Sequence, residues 1–139
     1  MKIENGILFD VNNSDIDENG YFNFPSNVFE IGYEAFSSCT KLLHLYIPDS
    51  IKKIDETFLT DCAKLESISF PADFLWRHIE YGLEEDKCEY KKALSNDCRY
   101  DLDSLRYIIF RGHSEEWNKI DPEKYFSNVV IHCFDKDIL

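Results

Sequence analysis

Basic residues are scarce in this 139-residue chain. Its 15 lysines and arginines stand against 27 aspartates and glutamates, a formal net charge of −12. A nucleic-acid binder normally carries a basic stripe that neutralises phosphates, and none is visible. The same deficit disfavours docking on an anionic membrane surface. Glycine (five) and proline (four) are sparse too, which excludes collagen-like and low-complexity chains. No apolar run approaches the roughly 20 residues of a membrane-spanning helix. The opening MKIENGILFDVNN has Asp10 where the apolar core of a secretion signal would lie, so a cytoplasmic location is expected. The five cysteines are an odd number at spacings that suit no disulfide framework, which fits a reducing compartment.

What the chain does have is apolar and aromatic mass. Hydrophobic residues make up 44% of it, with eleven phenylalanines and eight tyrosines, enough for the core of one domain. That mass is periodic. SSCTKLLHLYIP (residues 37–48) returns as TDCAKLESISFP (residues 60–71), 23 positions later. Cys39 falls on Cys62, Leu42 on Leu65, Leu45 on Ile68, Ile47 on Phe70 and Pro48 on Pro71. One period earlier, Phe22, Phe24 and Pro25 fall on Leu45, Ile47 and Pro48, while Val28 and Ile31 precede Ile51 and Ile54. A fixed period in the twenties marks a solenoid. In LLHLYIP, Leu45 and Ile47 point one way along a strand, and His44 and Tyr46 the other. One repeat cannot bury its own apolar side, so stacked coils bury it jointly with their strands in parallel register. Each proline lacks a donor and ends its strand.

A further copy, SLRYIIFRG, places Leu105, Ile108 and Phe110 in the same pattern, 40 residues after Leu65, Ile68 and Phe70. The excess over one period lies at about residues 74–104. There Leu75, Ile79, Leu83, Tyr90 and Leu94 recur near helical spacing, which predicts a helical insertion. The 23-residue alignment puts Arg77 at the position of Ile31 and Ile54. The expected organisation is a cap over 1–20, regular repeats over 21–73, the insertion over 74–104, and a last repeat with its cap over 105–139. Asn5-Gly6 between apolar residues signals a hairpin in the first cap. Trp117, Ile120 and Val129-Val130-Ile131 can close the far end with a last strand.

FPSNVFEIGYEAFSSCTKLLHLYIPDSIKKI resembles the BspA-type leucine-rich repeats. Ile31-Gly32, Ala35-Phe36, Cys39, Leu42, Leu45, Ile47 and Pro48 match their pattern position by position. The tail IIFRGHSEEWNKIDPEKYFSNVVIHCFD is similar to the ending of many such chains. The resemblance implies a leucine-rich-repeat solenoid, a right-handed coil with a parallel β-sheet on the concave side and few helices. It implies a binding protein, as in the bacterial surface adhesins of the family, and no catalysis.

Other motifs read as structure. DIDENG (residues 15–20) opens like a calcium loop, but the twelfth position is Ser26, where a bidentate glutamate is needed, so a turn is expected. Cys39 and Cys62 occupy equivalent places in successive coils and act as small buried hydrophobes. Cys88, Cys98 and Cys133 form no zinc-type spacing. Nothing visible activates Cys88 or Cys98 against His78 or His113 as a nucleophile. No metal, cofactor or catalytic residue is expected. The outward face of the sheet is the richer candidate. One row aligns Tyr21, His44, Ser67 and Tyr107, and its neighbour Asn23, Tyr46, Ser69 and Ile109. Tyrosine and histidine offer large contact area with a polar tip.

The expected function is a non-enzymatic protein–protein interaction module. Tyr21, His44, Tyr46, Tyr107 and Ile109 would contact the partner, with Glu84, Glu85 and Asp86 of the insertion as an acidic second region. The alternative is an acidic inhibitor, for example a phage-encoded anti-defence protein, that blocks a basic nucleic-acid-binding surface on its target.

Overall fold

The 23-residue offset becomes a stack of coils in the computed structural model, which describes residues 1–80, 87–95, 100 and 102–139. Successive repeats add strands to two sheets. One sheet holds β4 (His44–Tyr46), β6 (Ser67–Pro71), β9 (Tyr107–Arg111), β10 (Val130–His132) and β11 (Asp137–Ile138), in spatial order β11-β10-β9-β6-β4. The other holds β1 (Lys2–Glu4), β2 (Ile7–Phe9), β3 (Glu30–Ile31), β5 (Lys53–Asp55), β7 (Leu75–Glu80) and β8 (Lys87–Lys91), in order β1-β2-β3-β5-β7-β8. The pairings between coils are parallel, as stacking requires. Leu45, Ile68, Ile108 and Ile131 stand side by side and are buried. Leu8, Ile31, Ile54 and Trp76 form the matching column of the second sheet. Leu42, Leu65 and Leu105 are buried in the same core.

The cysteine position has a use in this stack. The Cys39 thiol donates to the Val11 carbonyl at 3.3 Å, and Cys62 to the Phe36 carbonyl at 3.0 Å, so each ties its coil to the one before. Burial pushes these thiols up to about 11 and about 12, far from reactivity. A thiol reagent at pH 7.5 is therefore expected to modify exposed Cys88 readily, and Cys39 and Cys62 only on unfolding. Mass mapping of the labelled native protein checks this; fast modification of Cys62 would contradict the stacking.

Two expectations need correction. Arg77 does not take the Ile54 column: Ile54 pairs with Trp76, and Arg77 pairs with Asp55. The coil is one residue short here, because an indole can fill the column and a guanidinium cannot without burying charge. Trp76 packs against Phe58, Phe70 and Phe74 with ring centroids 5.0–6.1 Å apart. The helical insertion is the second. β7 and β8 form an antiparallel hairpin, Trp76 opposite Lys91 through Glu80 opposite Lys87, and no helix occurs among the described residues of 74–104. The apolar spacing gave way to strand addition on β5, which pairs the backbone of β7 and buries Trp76 at once. Leu83 lies outside the described residues.

The ends are covered. Asn5 and Gly6 take positive φ (51° and 77°) between β1 and β2, the two-residue hairpin turn that their types favour. The Phe29 ring lies against Gly6, where a Cβ would fall 1.8 Å from its Cε2. At the far end, helix α1 (Ser114–Ile120) buries Trp117 and Ile120. The Ser114 amide and hydroxyl both donate to the Asp135 carboxylate, at 2.8 and 2.7 Å. Those bonds, the hydroxyl's first, hold Asp135 down to about 2. Among the described residues no helix is long and apolar enough to cross a membrane.

Candidate interaction surface

Because strands alternate their side chains, the inward column fixes what faces out. The register aligns Tyr21, His44, Ser67, Tyr107 and Val130 in one outward row. Tyr46, Ser69, Ile109 and His132 form the next. The expected contact residues of the sheet are thus brought to one face, except that pairing with β4 stops at Tyr21 and leaves Asn23 outside the ladder. Tyr21, Tyr46 and Ile109 are 44%, 52% and 42% exposed, whereas Ser67 and Ser69 between them are nearly buried. The result is a shallow trough along β6, floored by serines and walled by rings on β4 and β9.

Side-chain bonds set the walls. His44 Nδ1 lies 2.7 Å from Ser67 Oγ, its ring centroid is 4.9 Å from that of Tyr21, and its Nε2 is 3.8 Å from the Glu66 carboxylate. Tyr107 meets the His132 ring edge-to-face at 5.9 Å, and His132 Nδ1 bonds Asp137 at 2.9 Å. At the other end Arg111 crosses the trough. Its guanidinium donates to Ser69 Oγ, to the Ile47 carbonyl and to Asp49, and lies 4.2 Å from the Tyr46 ring centroid. The sequence reading missed Arg111. Its signal was available: Arg111 pairs with Pro71, so it replaces the proline that ends the earlier repeat strands.

The hairpin is fastened to the second sheet by buried acids. Asp55 pairs with Arg77 at 2.9 Å. Glu56 accepts from the Ser95 amide (2.7 Å) and hydroxyl (2.9 Å), and lies 2.8 Å from His78 Nδ1. Glu30 accepts from the Tyr90 hydroxyl at 2.9 Å, and Lys53 sits 4.2 Å from the Tyr90 ring centroid. Burial, then bonds to Cys88 and Glu30, push the Tyr90 phenol above its usual range. Ser95, His78 and Glu56 are the residue types of a hydrolase triad. Here, however, hydroxyl and imidazole both engage the same carboxylate oxygen, Oε2, instead of forming a relay. Cys88 accepts from Arg77 Nε at 3.0 Å, so the structure brings it to a guanidinium, not to His78.

Glu84, Glu85 and Asp86 lie outside the described residues, as does Cys98. In the DIDENG turn, Asp17 Oδ1 accepts from the Asn19 and Tyr21 amides, and Asp15 from the Asn12 amide and the N-terminal ammonium. These carboxylates build the turn before the first repeat strand. No cluster of three or more metal-ligating side chains occurs among the described residues. Compared with known families, residues 14–81 match the BspA type leucine rich repeat region in six copies. No curated protein and no solved structure matches the chain.

Proposed function

We infer that this chain, whose residues 14–81 belong to the BspA-type leucine-rich repeats, is a non-enzymatic module that binds a partner protein through the outer face of its five-stranded sheet. Tyr21, His44, Tyr46, Tyr107 and Ile109 are the contact residues, and Glu84, Glu85 and Asp86 of the sequence insertion add an acidic contact. One observation carries this reading: large, exposed aromatic and aliphatic side chains flank a floor of nearly buried serines on consecutive strands. A merely solvated sheet face has no need of them. Rigid rings in such rows offer contact area at small entropic cost, and interface energy concentrates in a few such residues.

The test is the double substitution Tyr46→Ala with Tyr107→Ala, measured against a partner captured by the native chain. Affinity is expected to fall by about tenfold or more, with the folded state intact by circular dichroism. Unchanged affinity in a folded variant would remove the face from consideration. The second reading, an acidic inhibitor that occupies a basic nucleic-acid-binding surface, is favoured by the net charge of −12. It requires affinity to fall steeply as salt rises from about 50 to 200 mM. A flat salt response would exclude it while leaving the module reading in place.

A further inference from the structure

The dipeptide Asn-Gly occurs twice in the chain, at Asn5-Gly6 and at Asn19-Gly20. Glycine has no side chain to shield its nitrogen, so the asparagine before it lies open to attack by the backbone. The fold holds the two pairs differently. Both glycine carbonyls are bound to the next coil, Gly6 by the Phe29 and Glu30 amides and Gly20 by those of Leu43 and His44. The amide sides differ. Gly20 N donates to the Asp17 carbonyl at 3.0 Å, inside a turn that Asp17 Oδ1 also closes on the Asn19 and Tyr21 amides. At the other pair, no hydrogen bond of the Gly6 amide, the Asn5 carbonyl or the Asn5 carboxamide occurs among the described residues. Asn5 is exposed, and β1 is the edge strand of its sheet.

We propose that Asn5 is a site of self-modification, in which the Gly6 nitrogen attacks Asn5 Cγ and ring opening leaves aspartate or isoaspartate. The step balances with water alone. The nitrogen–Cγ bond forms, the bond from Cγ to the side-chain nitrogen breaks, and that nitrogen leaves as ammonia with the Gly6 amide proton. Water then opens the five-membered imide at Cγ, giving aspartate, or at the Asn5 backbone carbonyl, giving isoaspartate. The free peptide unit supplies the geometry. With nothing bound at either end, it turns over without breaking a hydrogen bond, which takes the two-residue hairpin from type I′ to type II′. That rotation brings the Gly6 nitrogen round to the Asn5 side chain. At Asn19 the same rotation breaks the bond from Gly20 N to Asp17. The turn itself demands the reactive pair. Residues 5 and 6 both need positive φ, and a Cβ at residue 6 would fall 1.8 Å from Phe29 Cε2. Isoaspartate lengthens the backbone by one methylene between Glu4 and Ile7, which face each other across the hairpin, and so loosens the first cap where Ile3 packs on the core. This inference is independent of the binding reading.

The test is the native full chain held at about pH 8 and 37 °C for several days, then digested. Fragment mass spectrometry scores each Asn-Gly site for carboxylate in place of carboxamide. A parallel sample in urea gives the rate of each dipeptide without structure. In the native sample Asn5 is expected to convert about threefold or more faster than Asn19, the factor that one net hydrogen bond supplies. In urea the two rates should be alike. The product at residue 5 should accept methyl groups from a protein-isoaspartate methyltransferase, and amide exchange at Glu4 and Ile7 should quicken in that form. Equal native rates, or faster conversion at Asn19, would overturn the proposal. So would the same preference for Asn5 in urea, since it would then owe nothing to the fold. Exchange unchanged in the isoaspartyl form would contradict the loosening of the cap.

Discussion

Phe70→Ala is expected to lower the free energy of unfolding by about 3–5 kcal/mol, the range for removing a large aromatic side chain from a packed core. Phe70 is fully buried on β6, and its ring meets those of Phe58, Phe74, Trp76, Trp117 and Phe126 at centroid distances of 5.5–6.3 Å. Those neighbours come from a loop between the sheets, from the second sheet, from α1 and from the segment before β10. One ring therefore joins both sheets to the far cap. Domains of this size hold only about 5–15 kcal/mol in total, so the variant should be close to unfolding at 37 °C. Urea denaturation followed by fluorescence gives the value. A loss below about 1 kcal/mol would mean that the cluster is looser than its geometry.

The second large effect belongs to Glu56→Ala. Removing a buried carboxylate strands its donors, and the cost is expected to be about 2–4 kcal/mol. Glu56 holds the Ser95 amide and hydroxyl and His78, with Lys91 Nζ at 3.8 Å, so most of that loss falls on the hairpin. Hydrogen exchange should accelerate in Lys87–Lys91 and at Ser95 well before it does in β4, β6 and β9. Uniform acceleration along the whole chain would show that the hairpin is not a separately fastened unit. Glu56→Gln, which keeps an acceptor oxygen, should lose less than Glu56→Ala.

What the sequence made legible is what the period controls. The 23-residue offset sets parallel register, register sets the inward columns, and the columns leave Tyr21, His44, Tyr46, Tyr107 and Ile109 on one outer face. Each step is local chemistry repeated, which one chain displays openly. The misread parts depend on contacts between distant residues. Leu75, Ile79, Leu83, Tyr90 and Leu94 match a helical spacing, yet β7 is decided by β5, which offers a free edge and the Asp55 carboxylate, with that of Glu56 directly after it. Their partners Arg77 and His78 are each 22 positions away, and Ser95 is 39 positions from Glu56. No window of ordinary length contains such pairs. Arg111 reaches Asp49 across 62 positions, and only its departure from the strand-ending proline marked it. The acidic residues Glu84, Glu85 and Asp86 and the tyrosine rows thus differ in kind as candidates, since only the rows follow from the repeat.

The most direct test of the whole account is the strand register across the insertion, measured by nuclear Overhauser contacts between backbone protons of β6 and β9. The account predicts contacts that pair Ser67 with Tyr107, Ile68 with Ile108 and Ser69 with Ile109, despite their separation of 40 residues. A register displaced by a single residue would send Tyr107 and Ile109 into the core and bring Ile108 out, and the proposed binding face would not exist.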